Sequence, residues 1–235
     1  LLQPWLRTPL FICIGIMFFQ QFVGINTVIY YSPKIFLMAG FDGTVAAIWA
    51  SVVVGLVNVI FTIVSVYFVD RLGRRMLYFI GLSGITVSLL LLGLCFLGGN
   101  LLGESVKWLT ILLILCYVAF FAISIGPLGW LIISEIFPQK LRGLGVSLGS
   151  LSVWLFNSIV SFTFFKIVNV LTIPGKEILL DGEYLGNPAG AFWLYGGIAF
   201  LALIWGYFYI PETKGVTLEQ IENFWRMRKS PRELK

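Results

Sequence analysis

Histidine is absent from the sequence, and only 11% of its 235 residues carry a charge. Without histidine, the commonest metal ligand and the usual proton shuttle are missing. The three cysteines, Cys13, Cys95 and Cys116, fall inside apolar runs, where a free thiol behaves as a small hydrophobe. Their spacing suggests neither a disulfide framework nor a metal site, so no metal and no cofactor are expected. Asp and Glu are missing from the middle of every long apolar run, which leaves intramembrane acid–base chemistry without its groups. An enzyme is therefore not expected. The apolar runs also lack the outward–inward alternation of membrane barrel strands.

Apolar length is what the chain has in abundance. With 59% hydrophobic residues and a mean hydropathy of +0.95, the composition excludes an ordinary water-soluble globule. About 20 apolar residues cross a bilayer, and six stretches reach that length, near 10–38, 45–69, 77–98, 108–134, 145–171 and 190–210. The expectation is an all-α integral membrane protein in the lipid bilayer of the cell membrane, multi-pass, with a tail over 211–235. Of the sixteen Lys and Arg residues, twelve fall on one side of this arrangement. Basic residues concentrate in cytoplasmic loops, so both termini are expected in the cytoplasm. The net charge of +5 then reads as topology, and nucleic acid is not an expected partner. The chain opens on Leu1 without an initiating Met, as a fragment would.

Three carboxamides interrupt the first stretch. Gln20, Gln21 and Asn26 surround Gly24 within an otherwise apolar run, and an unpaired amide in an apolar medium costs about 2–7 kcal/mol. These groups must meet other helices, water or a ligand. A carboxamide gives and takes hydrogen bonds without charge, which suits a sugar hydroxyl. On an ideal helix Gln21 and Asn26 would point about 140° apart and Gln20 and Asn26 about 120° apart. Gly24 and Ser32-Pro33 are the positions where the helix is expected to unwind or bend.

A second interruption lies in the fourth stretch, at Ser124-Ile125-Gly126-Pro127-Leu128-Gly129-Trp130, because proline removes a backbone donor. Asn58 is the one strongly polar residue of the second stretch, and Trp154 and Asn157 share a face of the fifth at i and i+3. The first helix of each set of three is thus the broken one. This pattern predicts six helices as a 3+3 inverted repeat, with a binding site at the interrupted segments. Three compact charged segments, 70–75, 134–143 and 211–215, share the basic side.

The run from Gln20 to Tyr31 resembles the QQxxGxNxxxYY motif of the seventh helix of sugar porters in the major facilitator superfamily. Asp70 to Arg75 is similar to their D-R-x-G-R-R loop, Glu135 to Arg142 to their E-x-F-P-x-x-x-R loop, and Pro211 to Gly215 to their P-E-T-K-G ending. The likeness covers the chain in order and corresponds to helices seven to twelve of twelve. It implies transport of a neutral monosaccharide, hexose or pentose, by alternating access, with the N-terminal six-helix half as partner. Sugar contacts are implied for Gln20, Gln21, Asn26, Asn58, Trp130, Trp154 and Asn157, and an outer gate for Tyr30 and Tyr31. A cytoplasmic charge network is implied for Asp70, Arg71, Arg74, Arg75, Glu135, Arg142 and Glu212.

One position departs from part of the family. Many animal glucose facilitators carry a Glu shortly before the GPxxW segment, where this chain has Ala122, more like bacterial sugar symporters. In proton-coupled members the proton-bearing carboxylate lies in the other half, so coupling to protons is left open. Read without the motif, the amides serve equally well as interhelical contacts, and the tyrosines as aromatic packing. A membrane protein that senses sugar without transporting it is the alternative function.

Overall fold

The computed structural model describes residues 3–39, 43–102, 104–174, 177–180, 183–227 and 229–234. Among them, six segments are long and apolar enough to cross a membrane: Pro4–Met38, Ala47–Leu72, Arg74–Gly98, Val106–Ile136, Gln139–Val170 and Ala189–Tyr209. The first starts earlier than predicted because a 3-10 turn, Pro4–Leu6, runs directly into helix.

The first span consists of two helices, α1 (Arg7–Phe22) and α2 (Ile25–Met38). Two long helices follow, α3 (Thr44–Leu72) and α4 (Arg74–Leu102). The fourth span is again divided, into α5 (Glu104–Ile123) and α6 (Ile125–Ile136), before α7 (Arg142–Val170) and α8 (Ala189–Tyr209) complete the bundle. Breaks therefore recur three spans apart, in segments that run in opposite directions, as a 3+3 inverted repeat requires. The loop before α8, read in the sequence only as polar, carries a short antiparallel hairpin, β1 (Ile178–Leu180) with β2 (Glu183–Leu185).

Packing is closest where glycine admits an aromatic ring. In α4, Gly84 faces Phe120 and Gly93 faces Trp193, while Gly206 of α8 faces Tyr78, with no room for a Cβ at any of the three. Small residues at such contacts let helices approach in lipid, where no hydrophobic drive holds them together. Burial is uneven: the second and fifth spans are 17% and 22% buried, against 39–61% for the other four. Helices α3 and α7 therefore keep broad apolar faces uncovered.

One expectation is corrected. Ser32-Pro33 does not unwind the first span, since α2 continues through Pro33. The missing N–H of Pro33 would leave the carbonyl of Ile29 without its helical donor. Ser32 Oγ lies within hydrogen-bonding distance of that oxygen, 3.1 Å, and of Ser51 Oγ, 2.8 Å. A hydroxyl thus sits beside the gap, and the helix remains continuous.

After α8 the chain turns at Pro211 into a final amphipathic helix, α9 (Leu218–Arg226), opened by a capping box between Thr217 and Gln220. Its apolar face is buried through Ile221, Phe224 and Trp225. The Trp225 indole donates to the carbonyl of Ile136 at 3.1 Å, which ties α9 to the end of α6.

Candidate functional site

The first break is made by Gly24, which adopts a left-handed conformation at φ 87° and ψ 17°. A side chain there would be strained, and the Tyr195 ring fills the place of a Cβ. A break frees backbone groups that must be satisfied inside the protein. The Tyr117 hydroxyl of α5 donates to the carbonyl of Val23 at 2.9 Å, while the carbonyl of Gly24 accepts from the Val28 N–H at 3.2 Å and from Thr27 Oγ1 at 2.7 Å.

The second break falls at Ser124, with φ −116° and ψ −109°. Pro127 is the third residue of α6, a position where helices tolerate proline. Its missing N–H would have served the carbonyl of Ile123, and Ser65 Oγ of α3 donates to that oxygen instead, at 2.7 Å.

Gln20 links the two breaks. Its Nε2 donates to the carbonyls of Ile125 and Gly126 at 3.0 and 2.8 Å. Its Oε1 accepts from Gln21 Nε2 at 3.1 Å, and Gln21 Oε1 accepts from Asn26 Nδ2 at 2.6 Å. A continuous helix would point Gln21 and Asn26 about 140° apart. The turn at Gly24 is what makes their contact possible.

Beside this chain of amides opens a cleft of about 400 Å³. It gathers Gln20, Gln21, Asn26, Asn58, Trp130, Trp154 and Asn157, together with Tyr30. Tyr31 is elsewhere: its ring stacks on Phe164 at 5.4 Å and its hydroxyl donates to the carbonyl of Ser161 at 3.3 Å. The lining contains no Asp, Glu, Lys or Arg. Asn157 Nδ2 donates to the Tyr30 hydroxyl at 3.3 Å, and Ser161 Oγ donates to Asn157 Oδ1 at 3.0 Å. Among the described residues, the amide of Asn58 and the indole N–H groups of Trp130 and Trp154 have no hydrogen-bond partner. Trp154 is 65% exposed, so its indole stands open at the rim.

Sequence reasoning missed the supports. Ser65 and Thr62 follow Asn58 at i+7 and i+4, on one face of α3; that polar stripe was the available signal. Thr62 lines the cleft and Ser65 braces the second break. The apolar walls, including Ile25, Ile29, Phe121 and Val153, look like any other residues of their spans.

The charged segments assemble at the opposite end of the bundle from the hairpin. Arg74 Nη2 pairs with Glu135 Oε1 at 2.8 Å, and Arg74 Nη1 with Asp70 Oδ1 at 2.9 Å. Thr213 Oγ1 also donates to Glu135. Glu212 does different work: its carboxylate accepts from the backbone N–H groups of Arg74 and Arg75 at 3.0 and 3.1 Å. It thereby caps the start of α4, where a helix presents unsatisfied donors and a partial positive charge. Arg75 Nη2 donates to the carbonyl of Tyr207 at 2.8 Å, and Arg71 lies over the Tyr67 ring at 4.0 Å. Two buried nitrogens of Arg142, Nε and Nη2, have no partner among the described residues. The ion-paired core is thus Arg74, Glu135 and Asp70, with Arg71, Arg75, Arg142 and Glu212 arranged around it in other roles.

Comparison with known proteins points one way. The family described as Sugar (and other) transporter matches residues 1–225. The chain is 36% identical to the D-xylose-proton symporter of Escherichia coli over 91% of its own length and 41% of that protein's. It is 40% identical to D-xylose-proton symporter-like 1 of Arabidopsis thaliana, covering 88% and 38%. It is 36% identical to the facilitated trehalose transporter Tret1 of Drosophila willistoni, covering 91% and 23%. Among solved structures, the proton:xylose symporter XylE bound to 6-bromo-6-deoxy-D-glucose superposes with a TM-score of 0.76 at 34% identity, covering 92% of this chain and 42% of that one. The chain spans less than half the length of these relatives. Two broken helices three spans apart, an uncharged cleft between them and this agreement along nearly the whole sequence make the chain a member of the sugar transporter family of the major facilitator superfamily.

Proposed function

We propose that the cleft is one wall of a binding site for a neutral monosaccharide, a hexose or a pentose, and that the chain is the C-terminal six-helix half of a transporter working by alternating access. The observation that carries this reading is the cleft itself, which has amide and indole donors in reserve and no charged residue in its lining. Uncharged hydroxyls are the groups such a surface can satisfy, while the indole faces suit the C–H face of a pyranose. Sites of this kind combine apolar walls with a few placed polar groups. Gln21, Asn26, Asn58, Trp130, Trp154 and Asn157 would hydrogen-bond or stack with the sugar. Gln20 would present the remaining capacity of its oxygen while holding α6 in place. Tyr30, at the cleft, is the better placed of the two gate candidates.

The uncovered faces of α3 and α7 support a partner. They flank the cleft, and an N-terminal six-helix half seated on them would close the site from the other side. The cluster of Arg74, Glu135 and Asp70 would lie at the cytoplasmic surface, together with both ends of this segment. The Arg74–Asp70 pair, with Asp70 exposed, is worth about 0–1 kcal/mol, while Arg74 and Glu135 are largely shielded from solvent, so parting that pair would cost more and would weight the equilibrium between outward-facing and inward-facing states. Relatives include both a proton symporter and a facilitated transporter by name. With no carboxylate in the cleft lining, any transported proton would be carried by the other half.

The test is uptake of labelled hexoses and pentoses into vesicles containing this chain joined to its natural first half, with and without a proton gradient. Gln21→Ala is expected to abolish or strongly weaken uptake of one sugar while the protein remains folded. Unchanged affinity in Gln21→Ala, Asn26→Ala and Asn58→Ala would assign these amides to structure alone.

A further inference from the structure

A crevice larger than the amide cleft lies elsewhere in the molecule. It measures about 950 Å³ and lies at the charged end, between the first turns of α4, Glu212 just beyond α8, and the chain after α9. Arg75, Met76, Phe79, Arg232 and Leu234 line it, with the acids Glu212 and Glu233. The carboxylate of Glu212 accepts from the backbone N–H groups at the start of α4, which fixes its oxygens on that helix end, and Glu233 is the second acid set against the two arginines.

Two arginines converge here on one tyrosine. Arg232 stacks over the Tyr207 ring at 4.2 Å and donates from Nη2 to its hydroxyl at 2.9 Å. Arg75 lies 5.9 Å from the same ring and donates from Nη2 to the Tyr207 carbonyl. Each guanidinium has five N–H donors in a planar fork, so both retain donors for a further acceptor. Arg75 belongs to the transmembrane bundle and Arg232 to the tail. Neither element alone makes the pair.

An apolar stripe leads away from this point along the membrane-spanning helices. Met76, Ile80, Val87 and Leu91 of α4, with Leu201, Ile204 and Phe208 of α8, are exposed. Neither helix contributes to the lining of the amide cleft. With a partner half seated on α3 and α7, these side chains would face lipid, and the arginine pair would stand at the level of the lipid headgroups, with Tyr207 as an interfacial aromatic residue.

We propose that this crevice is a binding site for an anionic phospholipid, whose headgroup phosphate is held between Arg75 and Arg232 and whose acyl chain lies along Met76, Ile80, Ile204 and Phe208. Arginine forks match phosphate oxygens in geometry as well as charge, and the apolar stripe extends from the same point. The bound lipid would join the tail to the bundle through Arg232.

The test uses the full-length transporter, purified in mild detergent and examined by native mass spectrometry with added phosphatidylglycerol or phosphatidylcholine. Phosphatidylglycerol should be retained preferentially. Arg75→Gln and Arg232→Gln should each lower its retention about fivefold, the effect of one basic residue at an anionic membrane surface. Glu233→Gln, which leaves both arginines and their tyrosine contacts intact, should raise it. Thermal unfolding of each variant without added lipid separates a lost site from a lost fold. Equal retention of the two lipids, or retention unchanged in all three variants, would overturn the proposal. So would displacement of the lipid by millimolar glycerol 3-phosphate, which would make the crevice a site for soluble phosphates.

Discussion

The two broken spans solve the same problem by different means. In the first, Gly24 turns the backbone through a conformation that other residues rarely adopt, and the freed carbonyl of Val23 is taken by a tyrosine of the fourth span. In the second, Pro127 withholds a donor, and the orphaned carbonyl of Ile123 is taken by a serine of the second span. Pro33 provides an internal control, since it too withholds a donor yet its helix continues, with Ser32 from the same helix beside the vacant carbonyl. Proline alone does not break a membrane helix. In both breaks the repair comes from another span, so the irregular backbone is braced by tertiary hydrogen bonds and can present amides at fixed positions.

If that contrast is sound, the glycine break should be the less tolerant. Gly24→Ala is expected to cost about 3 kcal/mol, combining a left-handed backbone with overpacking against Tyr195; the check is the thermal unfolding midpoint in detergent. A midpoint unchanged by this variant would show that the left-handed turn is not required. Gln20→Ala should follow at about 1–3 kcal/mol, because it removes the donor to two carbonyls of the second break and the acceptor for Gln21. Gln20→Glu should not rescue it, since a carboxylate cannot donate to those carbonyls.

The proline break can be examined by a double-mutant cycle. Ser65→Ala should cost about 1 kcal/mol in the native background and almost nothing in Pro127→Ala, where the new backbone N–H can serve the carbonyl of Ile123. Additive effects would break the comparison by showing that Ser65 does not substitute for the missing donor. Tyr117→Phe should cost about 0.6–1 kcal/mol whichever residue occupies position 127, because its partner belongs to the first break. The smallest effect belongs to the charged end, at its exposed acid. Glu135→Gln removes the negative charge facing the largely buried Arg74 guanidinium while keeping one acceptor oxygen, and should exceed Asp70→Asn, whose side chain is 77% exposed. That second change should stay within a few tenths of a kcal/mol and vanish in high salt.

Much of this was legible because membranes simplify the code. Apolar length placed all six spans, and amides or a proline in such runs marked the two that break. Asn58, Trp154 and Asn157 were found by their rarity or their shared helical face. Ser65 and Tyr117 were not found, because a serine or tyrosine within a span is unremarkable until its carbonyl partner is known. The charged end shows the opposite limit. The resemblance grouped seven charged residues on one side, but could not tell that Glu212 would cap a helix while Glu135 would hold Arg74, since both are acids in short polar segments.

The sequence by itself determined that the chain crosses a membrane six times, which spans carry polar groups, and which end gathers the charge, because solvation in lipid depends on composition over about 20 residues. Tertiary structure alone decided which hydrogen bonds join those groups. Gln21 and Asn26 meet only because Gly24 turns the backbone between them, and Gln20 meets the second break only because α1 packs beside α6. A hydrogen bond depends on distance and angle, and between residues a hundred positions apart only the packing of whole helices sets either.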